Sequence, residues 1–136
     1  MSSARLSRTV FRLSGEGVED WLSGLITNSL DNPVTFAAIL TPQGKIIADF
    51  FIYKEDNALL LETAAKFAQG LHKRLRMYRL RAPIEIIETD TQVYAVWDET
   101  DMPGHPDPRH ASLGNRVLTN KPIPETADYD AHRLSL

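Results

Sequence analysis

Hydrophobic and polar positions alternate with different periods along the chain, and each change of period predicts an element. Residues 9–13 alternate in the manner of a strand. Val18, Trp21, Leu22, Leu25 and Ile26 then fall at i, i+3, i+4, i+7 and i+8, one apolar stripe on a helix that the spacing carries to about Asn28. Ser14 offers this helix a cap, and Glu16, Glu19 and Asp20 sit near the positive end of its dipole.

Residues 34–41 and 45–54 are β-rich runs joined by Thr41-Pro42-Gln43-Gly44, where proline fixes φ and glycine permits a positive one, so the pair is expected to be an antiparallel hairpin. A polar turn at residues 55–57 leads into a third strand of the same meander at 58–63. Ala64 begins a second helix that buries Ala64, Phe67, Ala68, Leu71, Leu75 and Tyr78 and ends at Pro83. Two more strands are expected at 84–88 and 92–97, then a proline-rich loop over 98–112, a short edge strand at 116–118 and a helix from Glu125 carrying Tyr129, Leu134 and Leu136. This order predicts α+β architecture, with helices packed against a mainly antiparallel sheet. The expected boundaries are one domain over 1–122 and a following segment over 123–136, whose last helix stops without a capping signal and reads as cut.

Composition narrows the function more by exclusion than by assertion. A chain of 136 residues, 43% hydrophobic, suits a single core. Its formal charge of -3 gives the whole chain no electrostatic reason to bind nucleic acid or anionic lipid. It has no cysteine, so disulfides, thiolate metal sites and thiol catalysis are excluded within these residues. No apolar run approaches membrane-spanning length or forms a signal peptide, so no membrane partner is expected. The compartment expected is the cytoplasm, with the mitochondrial matrix as the alternative.

Asp49 is the most informative residue. It lies within a strand that is apolar on both faces, and by alternation it shares a face with Ile47, Phe51 and Tyr53. A carboxylate in such company needs donors, from the protein or from a ligand. A reduced pterin would supply adjacent ring N–H and amino groups to it, with Phe51 and Phe36 sandwiching the flat ring. An ion pair with an arginine of the chain is the equal alternative.

A second feature is positive charge. Lys66, Lys73, Arg74, Arg76, Arg79 and Arg81 stand between Ala64 and Ile84 with no acid among them, leaving nine basic against eighteen acidic residues elsewhere. Lys73, Arg74, Arg76 and Arg79 are the candidate anion-binding group, for a folate glutamate tail, a tRNA backbone or an acidic partner; a solvated helix face is the plainer reading. Gly15-Glu16-Gly17 lacks the third glycine of a dinucleotide fingerprint, since Asp20 occupies that place, and Gly44-Lys45 lacks the upstream glycine of a phosphate loop. The four histidines are scattered, so no metal site is expected, and no serine, histidine and acid suggest a triad.

Three segments carry a resemblance: Leu25-Ile-Thr-Asn-Ser-Leu30, Leu40-Thr-Pro-Gln-Gly-Lys-Ile-Ile-Ala-Asp-Phe-Phe-Ile-Tyr53 and Arg74-Leu-Arg-Met-Tyr-Arg-Leu-Arg81. Their order resembles the amino-terminal region of the YgfZ-type proteins, relatives of the glycine-cleavage aminomethyltransferases linked to iron–sulfur cluster maintenance. Tyr129-Asp-Ala-His-Arg-Leu134 is similar to the segment that leads into that family's second half. The resemblance implies a folate-binding α+β domain with tetrahydrofolate or a derivative as its cofactor.

It places Asp49 on the folate-facing aspartate of the aminomethyltransferase Gly-Gly-x-x-Asp-Asp stretch, with Ala48 replacing the first aspartate and Lys45 the second glycine. It also implies folate contacts at Phe36, Thr63 and Asn28, and iron–sulfur proteins as partners. The family's Lys-Gly-Cys-Tyr-x-Gly-Gln signature is absent, so cysteine-dependent cluster chemistry is excluded here. The function expected is folate binding in support of iron–sulfur cluster assembly or repair, without catalysis by this chain. Aminomethyl transfer, with Asp49 as the catalytic group, is the enzymatic alternative. A tRNA or protein adaptor using residues 66–81 is the third.

Overall fold

A computed structural model describes residues 2–98, 102–120, 123, 125, 126 and 128–134. The chain folds as two compact units, Thr9–Thr89 and a second made of Met1–Arg8 with Asp90–Leu136. The domain expected over 1–122 thus contains all of the first unit and the strands of the second.

The first unit is a five-stranded sheet with two helices. Its strands are β2 (Arg8–Ser14), β3 (Val34–Leu40), β4 (Ile46–Glu55), β5 (Ala58–Ala64) and β6 (Glu85–Glu88), in the order β3-β4-β5-β2-β6. The expected meander is present: β3 pairs antiparallel with β4, and β4 with β5. Gly44 turns the first hairpin at φ 85°, with its N–H donating to the Thr41 carbonyl at 2.9 Å, and Asn57 turns the second at φ 61°. The ladder shifts register between Ile39 and Leu40, a bulge next to the first turn.

One face of this sheet carries the core. Ala37, Ile39, Ala48, Phe50, Ile52, Leu59 and Leu61 meet Val18 and Leu22 of helix α1 (Val18–Ser23) and Ala68, Leu71 and Leu75 of helix α2 (Ala68–Arg79). Both helices bury the middle of the stripes their spacing predicts, with Trp21, Phe67 and Tyr78 half-buried, but their ends differ from expectation: Ala64, expected to begin the second helix, is the last residue of β5. Helix α1 is capped by Gly17 in the left-handed region, not by Ser14, and it stops at Ser23 rather than near Asn28. Leu25 and Ile26 still pack against the core, from the turn that follows. Helix α2 is preceded by a 3-10 turn (Ala65–Phe67) and ends before Pro83 is reached.

The second unit is a four-stranded antiparallel sheet in the order β1-β7-β9-β8, with β1 (Ser2–Leu6), β7 (Gln92–Trp97), β8 (His105–Pro106) and β9 (Asn115–Thr119). Neither β1 nor β8 is expected from the periodicity, and β9 lies between β7 and β8 rather than at an edge, because the proline-rich loop folds back to pair with it. The last helix, α3 (Tyr129–Leu134), begins four residues after Glu125, whose side chain instead accepts the Arg5 backbone N–H at 2.8 Å. Leu136 lies outside the described residues. Asp107 is buried here between Arg109, at 2.8 Å, and Arg116, at 3.5 Å. Burial alone would lower the Arg109 guanidinium, but the hydrogen bond and charge of Asp107 outweigh it and hold the group above its usual range. A raised arginine keeps the stability it contributes at every pH below its ordinary value, so this pair persists through neutral pH.

Candidate functional site around Asp49

The side chains of β4 alternate between the core face and a second face. Ala48, Phe50 and Ile52 join the core cluster, whereas Asp49, Phe51 and Tyr53 point the other way, as the alternation predicts. Cross-strand partners extend this second face: Ala38 lies opposite Asp49, Phe36 opposite Phe51, and Glu62 of β5 opposite Phe51 on the other side.

The outer edge of β3 is not free. The Thr27 N–H donates to the Ala38 carbonyl at 3.1 Å, and the Ala38 N–H returns a bond to the Thr27 hydroxyl at 3.0 Å. One residue along, the Asn28 amide donates to the Phe36 carbonyl at 3.2 Å, while its oxygen accepts the Ser29 N–H at 2.9 Å. These bonds explain why α1 stops early: residues 27–29 use their polar groups to cover a sheet edge rather than to extend a helix. Because the backbone groups of Phe36 and Ala38 face this segment, Phe36–Phe51 and Ala38–Asp49 are the narrow, non-hydrogen-bonded pairs of the β3–β4 ladder, where side chains stand closest.

Asp49 itself is half-buried, and among the described residues its carboxylate has neither an ion pair nor a hydrogen bond. The arginine partner allowed by the sequence is therefore not found among those residues. Its backbone is fixed: the Thr63 hydroxyl donates to the Asp49 carbonyl at 2.9 Å. The β4–β5 ladder ends at the pair Phe50–Thr63, so this bond satisfies the first carbonyl beyond it.

The four other residues expected to contact folate, Thr63, Phe36, Phe51 and Asn28, are placed as follows. Thr63 is fully buried, and its hydroxyl donates to the Asp49 carbonyl, a tie that holds the aspartate's backbone. The rings of Phe36 and Phe51 touch each other, with centroids 4.9 Å apart and planes at 51°, so the sandwich around a flat ring is corrected to a tilted pair. Phe51 is 1% exposed, while Phe36 is half-buried and presents the accessible part of the pair. Asn28 is exposed and serves as the clasp on β3.

Glu62 is the residue that sequence reading passed over. It is fully buried on the face of Asp49 and accepts the Tyr53 hydroxyl at 2.7 Å. The alternation of β5, which sets Leu60 and Glu62 against Leu59 and Leu61, was the available signal. A hollow of about 690 Å³ opens beside Thr27, Asn28 and Ser29 and is walled by Glu19, Asp20 and Asp31.

The fit to a reduced pterin rests on Asp49 and Phe36. An accessible carboxylate lacking donors stands one strand from an accessible aromatic ring, which matches a flat molecule bearing adjacent N–H groups. The basic residues are placed elsewhere, on α2. Lys73 and Arg76 are exposed, Arg74 and Arg79 half-buried, and the Arg79 guanidinium donates to the Ile84 carbonyl at 3.3 Å. Among the described residues no three His, Asp or Glu side chains group as metal ligands.

Comparison with known proteins defines the class first. The fold is that of the aminomethyltransferases: the aminomethyltransferase T of the glycine cleavage system from Bartonella henselae superposes with a TM-score of 0.64 over 69% of this chain and 28% of that one, at 15% identity. The sequence then narrows it. The chain is 31% identical to the mitochondrial iron–sulfur cluster assembly factor IBA57 homologue of Pyricularia oryzae over 94% of its length and 38% of that protein's. It is 28% identical to the Neurospora crassa homologue over 85% of the chain, and 27% identical to human IBA57 over 93%. Fold and sequence together bear out the resemblance to the YgfZ-type and IBA57 family that its motifs imply. It spans about a third to a half of the length of these relatives, 33% to 47%. No family profile matches the chain.

Proposed function

We propose that the chain supplies the folate-facing wall of an iron–sulfur cluster assembly factor, with the Asp49 carboxylate receiving the N–H donors of a tetrahydrofolate pterin. The observation that carries this reading is the half-buried Asp49 side chain, set among apolar neighbours and lacking a hydrogen-bond or ion-pair partner among the described residues. Phe36 offers the adjoining ring face, and Thr63 and Asn28 hold the two strands that present them.

The names of the relatives support the iron–sulfur assignment and iron–sulfur proteins as partners. The same names favour the mitochondrion over the cytoplasm as the compartment. Among the described residues no helix is long and apolar enough to cross a membrane.

Aminomethyl transfer is the weaker reading. Ala48 points into the core, so no second carboxylate stands beside Asp49 from the preceding position. One accessible carboxylate can accept donors and orient a pterin, and binding requires no more.

The test is a titration of the purified chain with tetrahydrofolate, followed by fluorescence, on the wild type and on Asp49→Ala. Saturable binding that weakens at least about tenfold in the variant supports the reading, because a charge-assisted pair of hydrogen bonds is worth about 1.4 kcal/mol or more. Equal binding by both proteins removes Asp49 from the site.

A further inference from the structure

Helix α2 presents two opposed stripes. Ala68, Leu71 and Leu75 face the core, and on the far side Gly70, Lys73 and Met77 follow one another at helical spacing, with Leu80 continuing the line past the last turn. All four are exposed, Leu80 at 86% and Met77 at 51%.

Gly70, Met77 and Leu80 depart from a plain solvated face, Met77 and Leu80 as large exposed apolar side chains. Glycine within a helix costs stability relative to alanine, yet a Cβ at Gly70 would meet nothing within 4 Å, so no packing within the chain requires it. Leu80 holds φ at 33°, a region that favours glycine, with its side chain turned to solvent. Lys73 lies within the stripe, Arg74 and Arg76 flank it on α2, Lys66 and Arg81 stand just before and after the helix, and among the described residues none of the five is in an ion pair with an acid.

From this we infer that the outer face of α2 is a docking surface for an acidic, leucine-bearing helix of a partner protein. The cationic rim meets its carboxylates, Met77 and Leu80 cover its apolar side chains, and the notch at Gly70 admits close approach of its backbone. The same face fits other polyanions less well. It offers no exposed aromatic ring for base stacking, and only two outward apolar side chains where an interfacial membrane helix presents a continuous stripe. This surface is independent of the pterin site.

Four probes separate these classes: a synthetic amphipathic helix with leucine on one face and glutamate beside it, polyglutamate of equal charge, a single-stranded oligonucleotide, and vesicles containing phosphatidylglycerol. The expected result is preference for the amphipathic helix, with affinity falling at least about tenfold in Leu80→Ser and in Gly70→Gln. Both substitutions sit in open solvent, so their melting temperatures should match or exceed that of the wild type, which excludes misfolding as the cause. Polyglutamate binding equal to that of the helix, preference for the oligonucleotide or the vesicles, indifference to both substitutions, or no binding of any probe would each overturn the inference.

Discussion

Replacing Thr63 by valine tests how the candidate site is held. The side chain keeps its shape and loses its chemistry: valine fills nearly the same buried space but cannot donate to the Asp49 carbonyl, which now receives a 2.9 Å bond. Leaving a buried acceptor unpaired costs about 1–3 kcal/mol. Asp49 is half-buried, so water reaches part of the vacated place and the lower half of that range applies, about 1.5 kcal/mol. With a urea dependence of about 1 kcal/mol per molar for a unit of this size, the unfolding midpoint should fall by about 1.5 M. The amide of Phe50, next to the released carbonyl, should also exchange faster with deuterium. Urea titration read by tryptophan fluorescence measures the first effect. An unchanged midpoint combined with lost tetrahydrofolate binding would refute the reasoning, because Thr63 would then be a ligand contact and not the tie that positions Asp49.

Other bonds and turns of the fold carry consequences of similar size. Asp107→Ala leaves buried Arg116 without this carboxylate and should destabilise the second unit by about 3 kcal/mol, measured by calorimetry. Gly15→Ala should cost about 2 kcal/mol or more in a urea titration, since φ is 134° and the new methyl would overlap the Pro83 carbonyl oxygen. Asn28→Ala should cost about 1 kcal/mol, seen as faster exchange at the Thr27 amide, because the clasp on the Phe36 carbonyl is lost.

Much of this fold can be read along the chain where one period persists. The β3–β4–β5 meander, the core stripes of α1 and α2, and the outward placement of Asp49 with Phe51 and Tyr53 all follow from alternation and helical spacing. The failures are places where tertiary hydrogen bonds outweigh local pattern. Leu25 and Ile26 continue the helical spacing of α1, but Thr27 and Asn28 gain more by closing the edge of β3. Residues 116–118 look like an edge, yet β8 pairs beyond them, a contact that short proline-containing segment does not advertise. In the site itself, spacing located the carboxylate but not its surroundings. That Phe36 and Phe51 lean on each other, and that Thr63 turns to the Asp49 carbonyl, depends on which ladder pairs are narrow and where the ladder ends.

Amide chemical shifts recorded during titration with tetrahydrofolate test, residue by residue, the proposal that the second face of β4 receives a reduced pterin at Asp49. The largest movements should fall on Phe36, Ala38 and Asp49 and their clasp at Thr27 and Asn28. Movements confined to α2, or no saturable movement at β3 and β4, would contradict it.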